Sequence, residues 1–212
     1  MGGRVSIPRL YPITDTELSG LSHEEQVKRL VAGGATLIQL REKRMSADAF
    51  YEAARPAVEI GHQHGARILI NDRVDVCLAV GADGVHLGQD DLHPVEARRL
   101  LGEEAIIGYS THSVEQALEA EAFPIDYLAI GPIFSTTSKE KPDPEVGLEG
   151  LQRVRARVSS LPLVAIGGIT ESLAEKVIGA GADSVAMISG LLVPSILLTQ
   201  RTQQLLQTLL FA

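Results

Sequence analysis

Eight short apolar runs alternate along this chain with longer segments that have the periodicity of amphipathic helices. The runs cover residues 10–13, 37–40, 68–70, 84–87, 106–108, 127–130, 163–166 and 184–188. Helical periodicity lies between them, for example at residues 24–32, 47–64, 94–101, 114–122, 148–158 and 171–180. Strands that alternate with helices imply right-handed βαβ units and a parallel sheet. Eight units predict an α/β fold in which residues 1–212 form a single (β/α)8 (TIM) barrel domain.

A weak internal repeat supports this alternation. Three similar tripeptides each end a helical segment and precede an apolar run: Gly33-Gly34-Ala35, Gly81-Ala82-Asp83 and Gly181-Ala182-Asp183. Glycine after a helix adopts the left-handed conformation that turns the chain toward the next strand. A doubly wound open sheet is the alternative architecture. The sequence contains no recognisable linker or second domain.

Composition narrows the class of partner. Tryptophan is absent and aromatic residues make up 4%, so we expect an aliphatic core. The net charge of −8 argues against nucleic acid, which requires a basic surface, but it permits small phosphorylated substrates. The single cysteine, Cys77, cannot form an internal disulfide, which fits a reduced, cytoplasmic protein. Because Cys77 lies in an apolar stretch, we predict that it packs in the core.

No membrane partner is expected, because no apolar stretch is long enough to span a bilayer. Leu205, Leu206, Leu209 and Leu210 recur at helical spacing and predict the apolar face of a docked last helix. The sequence leaves open whether the protein is a monomer or a homo-oligomer.

Polar residues or glycines follow every predicted strand. In chain order they are Thr14-Asp15, Arg41-Glu42-Lys43, Asn71-Asp72-Arg73, Gln89-Asp90-Asp91, Ser110-Thr111-His112, a Thr/Ser/Lys loop, Gly167-Gly168 and Ser189-Gly190. The strands of a barrel end at the same face, where the active sites of such barrels lie. We therefore predict an active site at this mouth.

Charges divide the predicted mouth into two parts. Arg41, Lys43 and Lys139 are cations, while Asp72 and Asp91 are carboxylates on adjacent strands. Carboxylates without Cys or His ligand spacings favour one hard cation, Mg²⁺ or Mn²⁺, bound together with substrate phosphates. The alternatives are that each Asp is only a helix N-cap and that the cations are solvated loop residues.

A second, neutral part follows strands seven and eight. Gly167-Gly168-Ile169-Thr170 precedes a helix, and Ser189-Gly190 occupies the equivalent place after the last strand. Glycines there let a phosphate approach backbone N–H groups, although a tight turn is the alternative. The long connection 131–147 is typical of a functional loop and suggests a lid. One site suited to pyrophosphate and one suited to a monophosphate suggest an enzyme that joins two phosphorylated molecules.

Six motifs in the same order resemble the thiamine phosphate synthase family. They are Gln39-Leu40-Arg41-Glu42-Lys43, Ile70-Asn71-Asp72-Arg73-Val74-Asp75, Gly84-Val85-His86-Leu87-Gly88-Gln89-Asp90-Asp91-Leu92, Ser110-Thr111-His112-Ser113, Gly131-Pro132-Ile133-Phe134 and Ala165-Ile166-Gly167-Gly168-Ile169. The resemblance implies a barrel transferase that joins a hydroxymethylpyrimidine pyrophosphate to a thiazole phosphate and releases pyrophosphate.

The resemblance also implies roles for individual residues. The segment Gln39, Leu40, Arg41, Glu42 and Lys43, together with Asn71, would hold the pyrimidine pyrophosphate. Asp72 and Asp91 would bind one Mg²⁺. Ser110 and Lys139 would contact the pyrophosphate or the pyrimidine, and with Arg41 and Lys43 they would form the catalytic set. The thiazole phosphate would lie against Thr136, Thr137, Ser138, Gly168, Ile188 and Ser189.

The chain departs from the family pattern at three places. Ser138 replaces the second threonine of the family's loop, and Ser135 replaces the proline before it. Ser189-Gly190 is similar to the related thiazole tautomerase subfamily, which typically lacks the full metal and pyrophosphate set. A tautomerase-like isomerase and a non-catalytic phosphate-binding barrel are therefore the rival functions. His86 and His112 flank the predicted mouth, and we expect structural roles for both.

Overall fold

The computed structural model describes residues 6–136 and 143–210. Eight parallel strands pair in sequence order and form a closed barrel, because β1 pairs with both β2 and β8. The strands are β1 Leu10–Thr14, β2 Leu37–Leu40, β3 Arg67–Asn71, β4 Gly84–Leu87, β5 Ile106–Thr111, β6 Tyr127–Ile130, β7 Leu163–Ile166 and β8 Ser184–Met187. The predicted barrel is confirmed, and the open-sheet alternative is wrong.

Helices surround the barrel. They are α1 Thr16–Ser19, α2 His23–Ala32, α3 Ala47–Gln63, α4 Val74–Val80, α5 Pro94–Leu101, α6 Val114–Ala120, α7 Gly147–Arg157, α8 Glu171–Gly179, α9 Ser189–Leu192 and α10 Leu198–Leu209. Serine side chains cap the N-termini of α2, α3 and α6. Ser22, Ser46 and Ser113 each accept a hydrogen bond from the backbone N–H three residues later. These caps satisfy donors that a helix cannot satisfy internally.

The core has two parts because successive strand residues face opposite sides. The larger part lies between the strands and the helices, and it is mainly aliphatic as predicted. A smaller cluster fills the barrel and contains Tyr11, Ile13, Leu37, Leu69, Ile106, Tyr127, Ala129, Val164 and Ala186. Its two tyrosines bring hydroxyl groups into the interior, where their hydrogen-bond partners Gln39 and His86 are also buried. Cys77 is buried and donates to the Gly84 carbonyl oxygen (Sγ–O 3.2 Å), so its predicted core position is confirmed.

An aspartate before each of three strands ties that strand to the one before it. Asp83, Asp126 and Asp183 precede β4, β6 and β8. Their carboxylates accept hydrogen bonds from the backbone N–H groups of Ile68, Ile107 and Leu163 at 2.7, 2.8 and 2.7 Å. Each tripeptide of the predicted repeat has one glycine with positive φ: Gly34 (97°), Gly81 (67°) and Gly181 (110°). The repeat therefore marks the end of the barrel opposite the predicted mouth.

The last helix, α10, docks on the barrel through Leu198, Leu205 and Leu209, as its spacing predicts. Leu206 is partly buried against the same core. The prediction for Leu210 is wrong: the helix ends at the preceding residue, and 73% of the Leu210 side chain is exposed. Within the described parts of the chain, none of the helices combines the length and the apolar character that crossing a bilayer requires.

Candidate active site

The ends of the strands surround a cavity of about 490 Å³. Nine of the predicted site residues line it: Gln39, Arg41, Lys43, Asn71, Asp72, Asp91, Ser110, Thr136 and Ile188. These residues come from β2, β3 and β5 and from the loops that follow the strands. They are spread around the barrel, so a single pair of neighbouring strands could not supply them all. Closure of the barrel is therefore what assembles the site.

A smaller cleft of about 30 Å³ adjoins this cavity. Gly168, Ser189 and Gly190 line it, together with residues that border both spaces: Thr136, Ile166, Gly167 and Ile188. Gly168 has φ of 65°, and a Cβ there would lie 2.5 Å from the Ser135 carbonyl oxygen. The absence of a side chain at Gly168 thus allows the loops after β6 and β7 to approach each other. The larger cavity is charged, whereas none of the described residues that line the cleft is ionisable.

The charged groups at the mouth pair across strands. Lys43 forms an ion pair with Asp72, and the Arg41 Nη1 atom lies 2.8 Å from the Asp15 Oδ2 atom. These contacts join the loops after β1, β2 and β3. Arg41 and Lys43 both line the cavity. Arg41 is largely buried there, whereas 51% of the Lys43 side chain is exposed, as expected for a loop residue.

Neither aspartate is a helix N-cap. Arg73 occupies the N-cap position of α4, and His93 occupies that of α5. Asp72 has φ of 62° and its N–H donates to the His86 carbonyl oxygen at 2.8 Å. Asp72 is the one described non-glycine residue with positive φ, and such conformations are concentrated at functional sites. The N-cap alternative is wrong for both carboxylates.

A chain of hydrogen bonds crosses the barrel beneath the cavity. The Gln39 Nε2 atom lies 2.9 Å from the Tyr11 hydroxyl, which lies 3.0 Å from the Tyr127 hydroxyl. The Tyr127 hydroxyl lies 2.9 Å from His86 Nδ1, and His86 Nε2 lies 2.8 Å from Ser110 Oγ. The two ends of this chain, Gln39 and Ser110, are predicted substrate contacts.

Comparison with known proteins identifies the family. The sequence model described as thiamine monophosphate synthase matches residues 10–191. The chain belongs to this family.

Relatives and a solved structure agree over nearly the whole length. A thiamine-phosphate synthase of Koribacter versatilis is 47% identical over 99% of both chains. A second, from Chloroflexus aurantiacus, is 46% identical over 85% of this chain and 83% of its own. The structure of thiamine phosphate pyrophosphorylase from Pyrococcus furiosus has a TM-score of 0.84 and 36% identity, covering 95% of this chain and 96% of its own. Membership of the thiamine monophosphate synthase family makes the protein a transferase of thiamine biosynthesis that forms thiamine phosphate.

The two carboxylates suit the metal that the resemblance to thiamine phosphate synthases implies. Burial raises the pKa of Asp91, and the negative charge of neighbouring Asp72 raises it further, against a hydrogen bond from the Gly88 N–H (2.7 Å). Two acidic groups that repel each other in a cavity are stabilised by a cation between them. Within residues 6–136 and 143–210, no three His, Cys, Asp or Glu side chains form a metal site. Two carboxylates therefore suit Mg²⁺, which commonly takes its other ligands from water and phosphates.

Asn71 also has an atom suited to a ligand. Its side chain lines the cavity and is buried, and among the described residues its Nδ2 atom has no hydrogen-bond partner. A buried donor without a partner costs free energy. A ligand in the cavity that accepts a hydrogen bond would remove this cost.

Two predicted contacts do not line either space. Leu40 is fully buried in the outer core. The Glu42 carboxylate accepts hydrogen bonds from the N–H groups of Lys43 and Arg44, both at 2.8 Å, and from the Thr16 hydroxyl at 3.2 Å. Glu42 thus shapes the loop that carries Lys43. The predictions for Thr137, Ser138 and Lys139 lie outside the described residues.

Tyr11 and Tyr127 were not among the predicted site residues. One sequence signal could have indicated them. In a chain with few aromatic residues, each tyrosine lies within a predicted barrel strand whose other residues are mostly aliphatic. His86 and His112 both make buried or part-buried hydrogen bonds, which agrees with the structural roles expected for them. Both also line the cavity, so their roles are not structural alone.

Two buried histidines make the fold of this synthase family member sensitive to acid. Burial lowers the pKa of His23 and of His86 from 6.5 to about 4. Between pH 6.5 and 4 the unfolded chain therefore binds more protons than the folded one, and stability falls as the pH falls. We expect each histidine to lower the free energy of unfolding by about 3 kcal/mol by pH 4. Urea unfolding measured from pH 7 to pH 4 checks this.

The pH dependence should be assigned with variants. His23→Gln is expected to flatten the decline in the free energy of unfolding, whereas His64→Gln, at an exposed position, should leave its slope unchanged. Equal slopes for the wild type and His23→Gln would contradict the assignment.

Proposed function

We propose that this protein condenses 4-amino-2-methyl-5-(diphosphooxymethyl)pyrimidine with 4-methyl-5-(2-phosphoethyl)thiazole, with or without a carboxylate on the thiazole ring. The products are thiamine phosphate and pyrophosphate, and the reaction depends on Mg²⁺. One observation carries the proposal: a cavity lined by cations and paired carboxylates adjoins a glycine-lined cleft whose described residues are all uncharged. The charged cavity suits a pyrophosphate and a metal, and the backbone-lined cleft suits a single phosphate group.

The charged cavity is proposed to hold the pyrimidine pyrophosphate. Asp15 forms an ion pair with Arg41, and Asp72 forms one with Lys43. These pairs hold both cationic groups at the mouth of the barrel. They would bind the pyrophosphate and offset the charge that grows on it as it leaves. Lys139 and Ser110 would add a charge and a hydroxyl to the same group.

Asp72 and Asp91 are proposed to hold the Mg²⁺. When bound, the ion would neutralise charge on the departing pyrophosphate. The side-chain amides of Gln39 and Asn71 would orient the pyrimidine, since both groups are buried and both line the cavity. The bond to pyrophosphate would break first, because the aminopyrimidine can stabilise the resulting carbocation.

The neutral cleft is proposed to hold the phosphate of the thiazole. Gly168, Ser189 and Ile188 line it, and Thr136 borders both spaces, with Thr137 and Ser138 following in the same loop. With its phosphate there, the thiazole would have its ring in the larger cavity, beside the pyrimidine. Orientation of this kind converts a bimolecular reaction into an effectively unimolecular one. No protein nucleophile is then needed.

The proposal predicts metal-dependent formation of two products in equal amounts. Purified protein, both substrates and Mg²⁺ should give one thiamine phosphate for each pyrophosphate released, measured by chromatography and a pyrophosphate assay. EDTA should abolish both products, and added Mg²⁺ should restore them. If folded protein with Mg²⁺ forms no thiamine phosphate, the proposal is abandoned. Equal rates with and without EDTA would remove the metal from it.

A further inference from the structure

We propose that Tyr11, Tyr127 and His86 are positioning residues. They form a hydrogen-bond chain from Gln39 to Ser110 in which each group donates to the next. This direction would leave the Ser110 hydroxyl as a hydrogen-bond donor toward a ligand in the cavity. The ligand is one with an acceptor at that point, a ring nitrogen or a phosphate oxygen. The assignment of that ligand as a pyrimidine diphosphate rests on the proposed function, whereas the direction of the chain does not.

The chain is built from five different strands. Gln39 lies on β2, Tyr11 on β1, Tyr127 on β6, His86 on β4 and Ser110 on β5. All four consecutive contacts are between 2.8 and 3.0 Å. Tyr11, Tyr127 and Gln39 are at most 1% exposed, so water cannot replace these partners. A buried chain of this kind must satisfy each donor internally.

Counting protons gives the direction. The Gln39 amide nitrogen can only donate, so the Tyr11 hydroxyl accepts from it. Among the described residues the other partner of this buried hydroxyl is Tyr127, so the proton of Tyr11 is satisfied when Tyr11 donates to the Tyr127 oxygen. The buried Tyr127 proton then needs an acceptor, and His86 Nδ1 is the remaining described partner, so Tyr127 donates to it. His86 is then neutral with its proton on Nε2, which donates to Ser110 Oγ. Ser110 keeps its own proton for another acceptor, and Ser110 lines the cavity.

The barrel is shaped to allow this chain. Gly108 lies on β5, paired with His86 on one side and Tyr127 on the other. A Cβ at Gly108 would lie 2.0 Å from Cζ of Tyr127, so the tyrosine ring occupies the space that a side chain would fill. The ring thereby crosses β5 and stacks on the His86 ring, with centroids 5.6 Å apart and an angle of 19°. Tyr11 meets the same ring edge-on, at 5.9 Å and 88°.

Burial keeps both phenols protonated. It raises the pKa of Tyr11 and that of Tyr127 above their usual value, so each hydroxyl has a proton to donate at any physiological pH. The chain can therefore not be interrupted by a phenolate. The imidazole nitrogen of His86 that carries the proton therefore reports the direction of the chain.

The tautomer of His86 tests the direction without any substrate. The full-length protein is labelled with ¹⁵N-histidine, and two-bond ¹H–¹⁵N correlations are recorded at pH 7.5. The His86 signals are those missing from His86→Gln. We expect protonated Nε2 and unprotonated Nδ1. Protonated Nδ1 would overturn the proposal, because the chain would then run from Ser110 toward Tyr127. Because this experiment needs no enzymatic activity, its result bears on the direction of the chain and not on the proposed function.

A double-mutant cycle tests whether Tyr127 acts through Ser110. We expect Tyr127→Phe to lower kcat/KM for the pyrimidine diphosphate about tenfold, because it removes the donor that fixes the His86 tautomer. In a Ser110→Ala background the same substitution should change kcat/KM less than about twofold. A tenfold loss in both backgrounds would overturn the positioning role.

A matched tyrosine controls for packing. Tyr109 is also buried and also lies on a barrel strand, but it belongs to the outer core and contacts Phe123 at 5.6 Å between ring centroids. Tyr109→Phe should leave kcat/KM and the His86 tautomer unchanged. In Tyr127→Phe, the Nδ1 and Nε2 signals of His86 should show a mixture of tautomers. A pure Nε2–H tautomer in that variant would count against the proposal.

Discussion

Asp91→Ala is expected to lower kcat at least about a hundredfold, a loss comparable to removing one electrostatic contact to a transition state. Asp91 lies on the loop after β4, and its Oδ2 atom accepts from the Gly88 N–H of the same loop at 2.7 Å. Its side chain also contacts Asp72 in the loop after β3, and both contacts are with loops at the mouth, so its removal should leave the strands and helices intact. Without it, Asp72 would be the one remaining carboxylate of the two proposed to bind the Mg²⁺.

The measurement is steady-state thiamine phosphate formation over a range of Mg²⁺ concentrations. Asp91→Ala should require more Mg²⁺ for half-maximal rate as well as losing kcat. Glu103→Ala makes the same change of charge in the loop before β5, at the opposite end of the barrel, and should behave like the wild type. Circular dichroism shows whether each variant is folded. A folded Asp91→Ala protein with wild-type kcat would exclude Asp91 as a metal ligand.

The strands and the neighbourhood of Asp72 and Asp91 could be predicted because both depend on local patterns. Apolar runs that alternate with amphipathic segments allow few architectures, and residues after adjacent parallel strands meet at one edge. The same reasoning places Arg41, Lys43 and Ser110 at the mouth. Fold and cluster followed from the order of residue types, without knowledge of any single side-chain conformation.

The remaining features depend on conformations and on distant contacts. The bond between Tyr11 and Tyr127 joins residues 116 positions apart and exists because Gly108 leaves space for the ring. No local pattern contains this information. Glu42 is a charged residue between two residues that line the cavity, so the sequence suggests a ligand contact. Its carboxylate instead accepts hydrogen bonds from the loop backbone. Side-chain direction there is set by the turn after β2, which the sequence pattern does not describe.

The N-cap alternative for Asp72 failed for a related reason. An aspartate just before a helix usually accepts hydrogen bonds from its first N–H groups. Asp72 instead adopts φ of 62°, which places Arg73 at the N-cap position and leaves the Asp72 carboxylate to pair with Lys43. A conformation of this kind is unfavourable for a non-glycine residue, so propensity reasoning points away from it. Sites of function are where such exceptions are expected.

Gly168→Ala is the second substitution with a large expected effect, and it should act on the thiazole phosphate. A Cβ at Gly168 would lie 2.5 Å from the Ser135 carbonyl oxygen and 2.7 Å from that of Phe134. Both contacts are with backbone, so relief requires movement of the loop that carries Thr136. We expect kcat/KM for the thiazole phosphate to fall about ten- to a hundredfold, since small displacements of positioning groups have effects of this size.

Gly65→Ala separates the steric contact from the backbone strain. Gly65 has φ of 72°, similar to the 65° of Gly168, but a Cβ there would meet no atom within 4 Å. Both variants should lose about 1 kcal/mol of stability from the left-handed conformation. Only Gly168→Ala should lose a further ~1–3 kcal/mol from overpacking and also show a raised KM for the thiazole phosphate. If the two variants have the same stability and the same KM, the close approach of the two loops at Gly168 has no part in binding. A raised KM confined to the thiazole phosphate, with that of the pyrimidine diphosphate unchanged, would instead place the monophosphate at the cleft between β7 and β8.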